Sequence, residues 1–255
     1  MGTEPVPRPP SLSARIGYLG VGLAVLWLVA GCAGTDPYEV ESERGEVALR
    51  VGDPEDAADA YRRALAYRHD EPEGLHGLAR SYVAQGDGES ALGAFARLER
   101  ADPDYFRERA STDYHFAIYQ AARNRLRRGD SARALELIRR LESLDPEHSG
   151  LEALRTQALI AEGGRLQVAG RPEEAEALFL GALGSEAAGA DAMLGLATTL
   201  MESGRVNTAI SVLSDALLRY PEDRRVQVLM DRALEIRYPN GLPSGNSPGS
   251  GSRTP

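Results

Sequence analysis

Apolar residues recur three and four positions apart through most of the chain, and turn-forming residues interrupt them at regular intervals. Leu75, Leu78, Ala79 and Tyr82 share one helical face; Gly86-Asp87 breaks the run; Ala91, Phe95 and Leu98 resume it; Asp102-Pro103 ends it. The segment therefore predicts two short amphipathic helices joined by a tight turn. Such a hairpin cannot bury both of its apolar stripes alone, so it must stack on copies of itself.

Four more segments repeat the pattern. The first keeps Gly45 and Ala48, then Ala57, Tyr61, Ala64 and Leu65, with its proline, Pro72, three residues late. The third has Ile118, Ala121 and Ala122, then Ala134, Ile138, Leu141 and Asp145-Pro146. The fourth has Leu159, Gly163 and Leu166, then Ala175, Phe179, Ala182 and Leu183, without a closing proline. The last has Met193, Leu196, Ala197 and Leu200, then Ala209, Leu213, Ala216 and Tyr220-Pro221. Both middle copies carry extra residues before their first helix, 104–113 and 147–153. Ala57, Ala91, Ala134, Ala175 and Ala209 stand where the two helices of a hairpin cross, and small side chains there let the axes approach to about 8–10 Å. Gly52-Asp53, Gly86-Asp87, Gly129-Asp130, Gly170-Arg171 and Gly204-Arg205 are the turns, glycine supplying the left-handed residue and aspartate capping the next helix. Arginine caps poorly, so the last two turns are expected to fray first. Gly163-Gly164, inside a helical pattern, suggests a kink or a close approach.

The order and spacing of Leu78, Ala79, Tyr82, Ala91, Phe95 and Pro103 resemble the tetratricopeptide repeat (TPR), with Leu75 in place of the family's tryptophan. The resemblance covers five copies over 41–221 and implies an all-α fold, a TPR helical-hairpin solenoid wound as a right-handed superhelix. Residues 222–238 read as a further helix, with Val226, Leu229, Met230, Ala233 and Ile236 on its apolar side, that caps the array. Residues 239–255 are Gly, Ser and Pro with almost nothing to bury and are expected to be a disordered tail.

The amino end reads differently. Arg8 and Arg15 precede the short apolar run Ile16–Ala30, the order of a secretory signal, and the run is shorter than the roughly 20 residues of a membrane span. Val29-Ala30-Gly31-Cys32 is similar to the lipobox of bacterial lipoproteins. That likeness implies a cleaved signal peptide, 1–31, a lipidated Cys32 holding the chain to a membrane, and a tether over 32–40. Ala33 after the cysteine implies the outer membrane, facing the periplasm, with the inner membrane as the alternative.

Composition narrows the chemistry. The formal charge of −9 argues against a nucleic-acid partner. All 29 basic residues are arginine, which removes Schiff-base catalysis and a P-loop lysine. The single cysteine leaves no intramolecular disulfide and no multi-cysteine metal site. His69, His76, His115 and His148 lie in separate segments without metal-ligand spacing, and no nucleophile elbow or phosphate loop occurs. No catalytic residue, metal, cofactor or small-molecule substrate is therefore expected.

Binding is the expected role. By resemblance the concave surface is lined by the first helix of each hairpin: Glu46 and Leu49; His76, Arg80 and Val83; Phe116, Tyr119, Arg123 and Arg127; Gln157 and Gln167; Asp191, Leu194 and Thr198. Tyr119, Arg123 and Arg127 are four apart on one face, and with Arg80 they suit a peptide carboxylate or an acidic segment. The lysines and asparagine of the family's carboxylate clamp are not matched. The layout resembles repeat lipoproteins that assist assembly of pili or secretion machines, so the expected partners are envelope proteins or their peptide segments. An adaptor for peptidoglycan enzymes or envelope quality control is the alternative, and a hydrolase is a remote third reading.

Overall fold

A computed structural model describes residues 36–240; the expected signal peptide, Cys32 and all but the first two residues of the expected tail (239–255) lie outside them. Eleven principal helices follow one another among the described residues, with no β-strand. They are α1 (Pro37–Val51), α2 (Pro54–Tyr67), α3 (Pro72–Gln85), α4 (Gly88–Ala101), α5 (Ser111–Arg127), α6 (Ser131–Leu144), α7 (Leu151–Val168), α8 (Pro172–Leu183), α9 (Gly189–Glu202), α10 (Val206–Arg219) and α11 (Arg224–Arg237). The first ten pair into five hairpins, and α11 packs on α10 as the expected cap.

Each hairpin is built as its sequence dictates. The five turn glycines all have positive φ, from 71° at Gly170 to 82° at Gly52. At Gly86 this left-handed residue turns its own N–H to Val83 and that of Asp87 to Tyr82, satisfying carbonyls that the helix end leaves free. Asp53 and Asp87 then cap the second helices, accepting from the N–H groups of Asp56 (3.1 Å) and Ser90 (3.2 Å). Asp130 does not cap: its carboxylate is taken by Arg125 from the preceding helix (3.2 Å). Arg171 and Arg205 cap nothing and reach outward, to Glu174 and Glu176.

The five crossing alanines are fully buried. Four positions on from each, a larger side chain, Tyr61, Phe95, Ile138, Phe179 or Leu213, fills the space between its own hairpin and the next and is at most 2% exposed. Apolar burial at such positions contributes roughly 1.5–3 kcal/mol each. The core runs in two large bodies and a small cluster of Ala182, Ala188 and Ala192 packed against Leu159 and Ile160 of α7. One large body extends from hairpin 1 to Ala158 of α7 and the other from Leu166 of α7 to Ala233, so α7 belongs to both.

The structure differs from the sequence expectation in four places. The first helix opens at Pro37, inside the expected tether, because Asp36 caps it (3.0 Å to the Tyr38 N–H) and Tyr38 is buried beside Gly74. The extra residues 104–113 are helical: Pro103–Tyr105, a π-helical turn at Phe106–Ala110, then α5. Phe106 packs edge-on to Tyr114, ring centres 5.1 Å apart, which holds the wide turn against the core. Of the extra residues 147–153, Leu151–Ala153 belong to α7, with Leu151 buried. On the cap, Ile236 is half exposed and Val226 and Ala233 carry the packing.

Candidate functional site

Each first helix touches the first helix of the next hairpin, whereas no two successive second helices make comparable contact. The stack therefore curves with α1, α3, α5, α7 and α9 on its inner side, where a groove runs across them. Its entrance is acidic. Glu39, Glu43 and Glu46 of α1 and Glu71 and Glu73 at the start of α3 border a cleft of about 570 Å³. Farther in, Glu46, Leu49, Arg50 and Arg80 line a smaller one of about 220 Å³.

At the junction of hairpins 2 and 3 the groove is internally wired. The His76 Nε2 lies 2.9 Å from Asp113 Oδ2, and its Nδ1 lies 3.4 Å from the Tyr105 hydroxyl. Arg80 Nε is 3.9 Å from the same Asp113 oxygen. The hydrogen bond from His76 is the main reason the Asp113 carboxyl sits below the ordinary aspartate range, against some desolvation, with Arg80 adding to it. His76 and Arg80 thus already share a carboxylate of this chain. They are less available to a ligand than the row of sequence positions suggested.

One hairpin on, the cations face solvent. Phe116 and Tyr119 stack at 6.5 Å with planes 22° apart, and Tyr119 lies 5.1 Å from the His148 ring. His148 Nδ1 is 3.0 Å from Asp145 Oδ2, and His115 Nδ1 approaches the same oxygen at 3.7 Å. This aromatic step is followed along α5 by Arg123 and Arg127. Both are exposed and neither forms an ion pair among the described residues; Arg127 donates to the Asn124 side-chain oxygen. Thr198, two hairpins away, donates its hydroxyl to the Leu194 carbonyl (2.8 Å) and is satisfied within its own helix.

Sequence reasoning placed the row of first-helix residues but missed Asp113, Asp145 and His148. Asp113 and His148 lie in the two stretches read as insertions, where repeat register gives no signal; Asp145 stands in register as the close of the third repeat, a position that says nothing of its two histidine neighbours. Among the described residues no three His, Cys, Asp or Glu side chains stand close enough to hold a metal ion, and no single helix is long and apolar enough to cross a membrane. The arrangement offers ionic and stacking contacts to a bound chain.

Two family models described as tetratricopeptide repeat match residues 42–106 and 168–233, together about half of the chain. A TPR repeats protein of Bacteroides fragilis is 15% identical, with a TM-score of 0.51 over 79% of this chain and 99% of that one. A thermophilic TPR protein of Thermus thermophilus is 23% identical over 77% of this chain and 98% of that one, with a TM-score of 0.32. At these identities the likeness concerns the fold alone. No curated protein matches the chain.

Proposed function

The chain belongs to the tetratricopeptide-repeat family, and from that premise we propose that it is a lipid-anchored adaptor of the bacterial envelope that presents its groove to an acidic segment of a machine under assembly. Repeats of this family make a protein–protein interaction scaffold; the anchor, the compartment and the partner are the proposed part. The carrying observation is the α5 surface, where an aromatic step stands next to two arginines with no ion partner among the described residues. A carboxylate there would gain charge-assisted hydrogen bonds without displacing an internal one. Pilus or secretion assembly at the periplasmic face of the outer membrane is the setting we favour, on the lipobox-like Val29–Cys32 and the Ala33 that follows it.

If Cys32 carries acyl chains, only Ala33 to Asp36 separate it from α1. At about 3.5 Å per residue those few residues would hold hairpin 1 within roughly 20 Å of the bilayer. The groove's partner is then a protein at the membrane surface. The test is crosslinking in cells followed by pull-down of wild type and of the double variant Arg123→Glu, Arg127→Glu. Reversal of both charges should weaken capture by roughly tenfold or more with the helical content unchanged. Undiminished capture sinks the groove reading, and an unacylated mature chain in the membrane fraction sinks the anchor.

A further inference from the structure

Measured back from the turn glycine, the residue twelve positions earlier is small and buried in every later hairpin: Gly74, Ala117, Ala158 and Ala192. The preceding hairpin covers it. A side chain on Gly74 would meet Leu65 of α2, and Ala192 packs with Ala182 of α8. In hairpin 1 the same position is Val40, 48% exposed, and Val47 and Val51 on the same face are 45% and 73% exposed. No described residue covers this stripe. It is the joint face of the repeat, built with larger apolar side chains than the inner joints use.

The opposite end shows a second apolar face. Helix α11 buries Val226 and Ala233 and turns Val228 (68%) and Ile236 (50%) outward, with Arg232 between them. The two ends differ in charge. Helix α1 carries four glutamates against two arginines, and α11 carries four arginines against one aspartate and one glutamate. Two first helices meeting would set acid on acid, and two last helices base on base. Only head-to-tail contact joins opposite charges while covering both apolar stripes.

We propose that copies of this chain stack head to tail, α11 of one molecule closing the exposed face of α1 in the next. The contact is heterologous and therefore extends into a row rather than closing as a symmetric dimer. It rests neither on the groove nor on the lipid. The test uses the full chain with Cys32→Ser, so that engineered thiols are the only ones present. One preparation carries Val47→Cys and another Val228→Cys, and with both kept reduced beforehand each is air-oxidised alone and as an equal mixture. The expected result is disulfide-linked dimer in the mixture well above either preparation alone. Light scattering of the thiol-free chain should show mass rising with concentration, and Arg232→Glu or Val47→Asp, each at an exposed site, should raise the dissociation constant at least tenfold. A chain that stays monomeric at every concentration, Val47→Cys linking to itself as readily as to Val228→Cys, or association unaffected by both variants overturns the proposal.

Discussion

Asp113 shows how one side chain can serve both fold and groove. It reaches from α5 to His76 of α3 and so ties hairpin 3 to hairpin 2 across the inner surface. Its carboxyl is held below the usual value, so its share of stability is fully present above about pH 4, the ordinary aspartate value, and is lost as pH falls through its lowered value. Urea midpoints taken between pH 5 and pH 3 should therefore fall less steeply for Asp113→Asn than for the wild type. Equal slopes would mean that the His76 contact contributes nothing to folding. Tyr61 is the apolar counterpart. Burial, with the nearby Glu46 carboxylate adding to it, pushes its hydroxyl up to about 12, so the ring stays neutral across the physiological range.

At the scale of elements, the spacing between helices is set by glycines as well as by the crossing alanines. Tyr61 lies between Gly45 of α1 and Gly77 of α3. A side chain on Gly77 would sit 2.2 Å from the ring, and one on Gly45 would sit 2.8 Å away on its other side. The ring cannot yield in either direction. Gly77→Ala should thus lower stability by about 2 kcal/mol in thermal or urea unfolding, overpacking outweighing the roughly 1 kcal/mol helix advantage of alanine. Gly93→Ala, with open space around it, should instead raise stability by up to about 1 kcal/mol. Phe179 repeats the arrangement between Gly163 and Gly195, which answers the Gly163-Gly164 question in favour of close approach.

Across the whole molecule, the break in the core falls within α7. There Glu162 occupies a position on the buried side, accepting from Ser131 of α6 (2.7 Å) and from Arg165 Nε (2.8 Å), and Arg165 is the main reason its carboxyl titrates below the usual range. Glu162 and Arg165 both belong to α7, so the pair sets charge at the seam where a packed leucine would join the two bodies, and stability in a solenoid is a sum of local units and their interfaces. Phe179→Ala, costing about 3–5 kcal/mol locally, should speed hydrogen exchange from the second half of α7 through α11 while α1 to α5 keep their protection. A uniform loss along the chain would show one indivisible core instead.

What residue order alone determined is everything that depends on near neighbours in the chain. The five hairpins, their turn glycines and two of the aspartate caps follow from periodicity and turn chemistry, which act over a few residues. The crossing alanines follow from the repeat, which makes each copy a reading of the others. Tertiary structure alone decided which charges are spent inside the molecule. Arg125 on α5 is drawn to Glu89 of α4, thirty-six positions away, and from there also takes Asp130; Arg80 and Arg123 occupy equivalent register positions, yet only Arg80 finds a carboxylate, because the helical segment before α5 brings Asp113 across the joint. Ion pairs between residues more than thirty positions apart depend on how two hairpins meet, and that distance is not written in either hairpin.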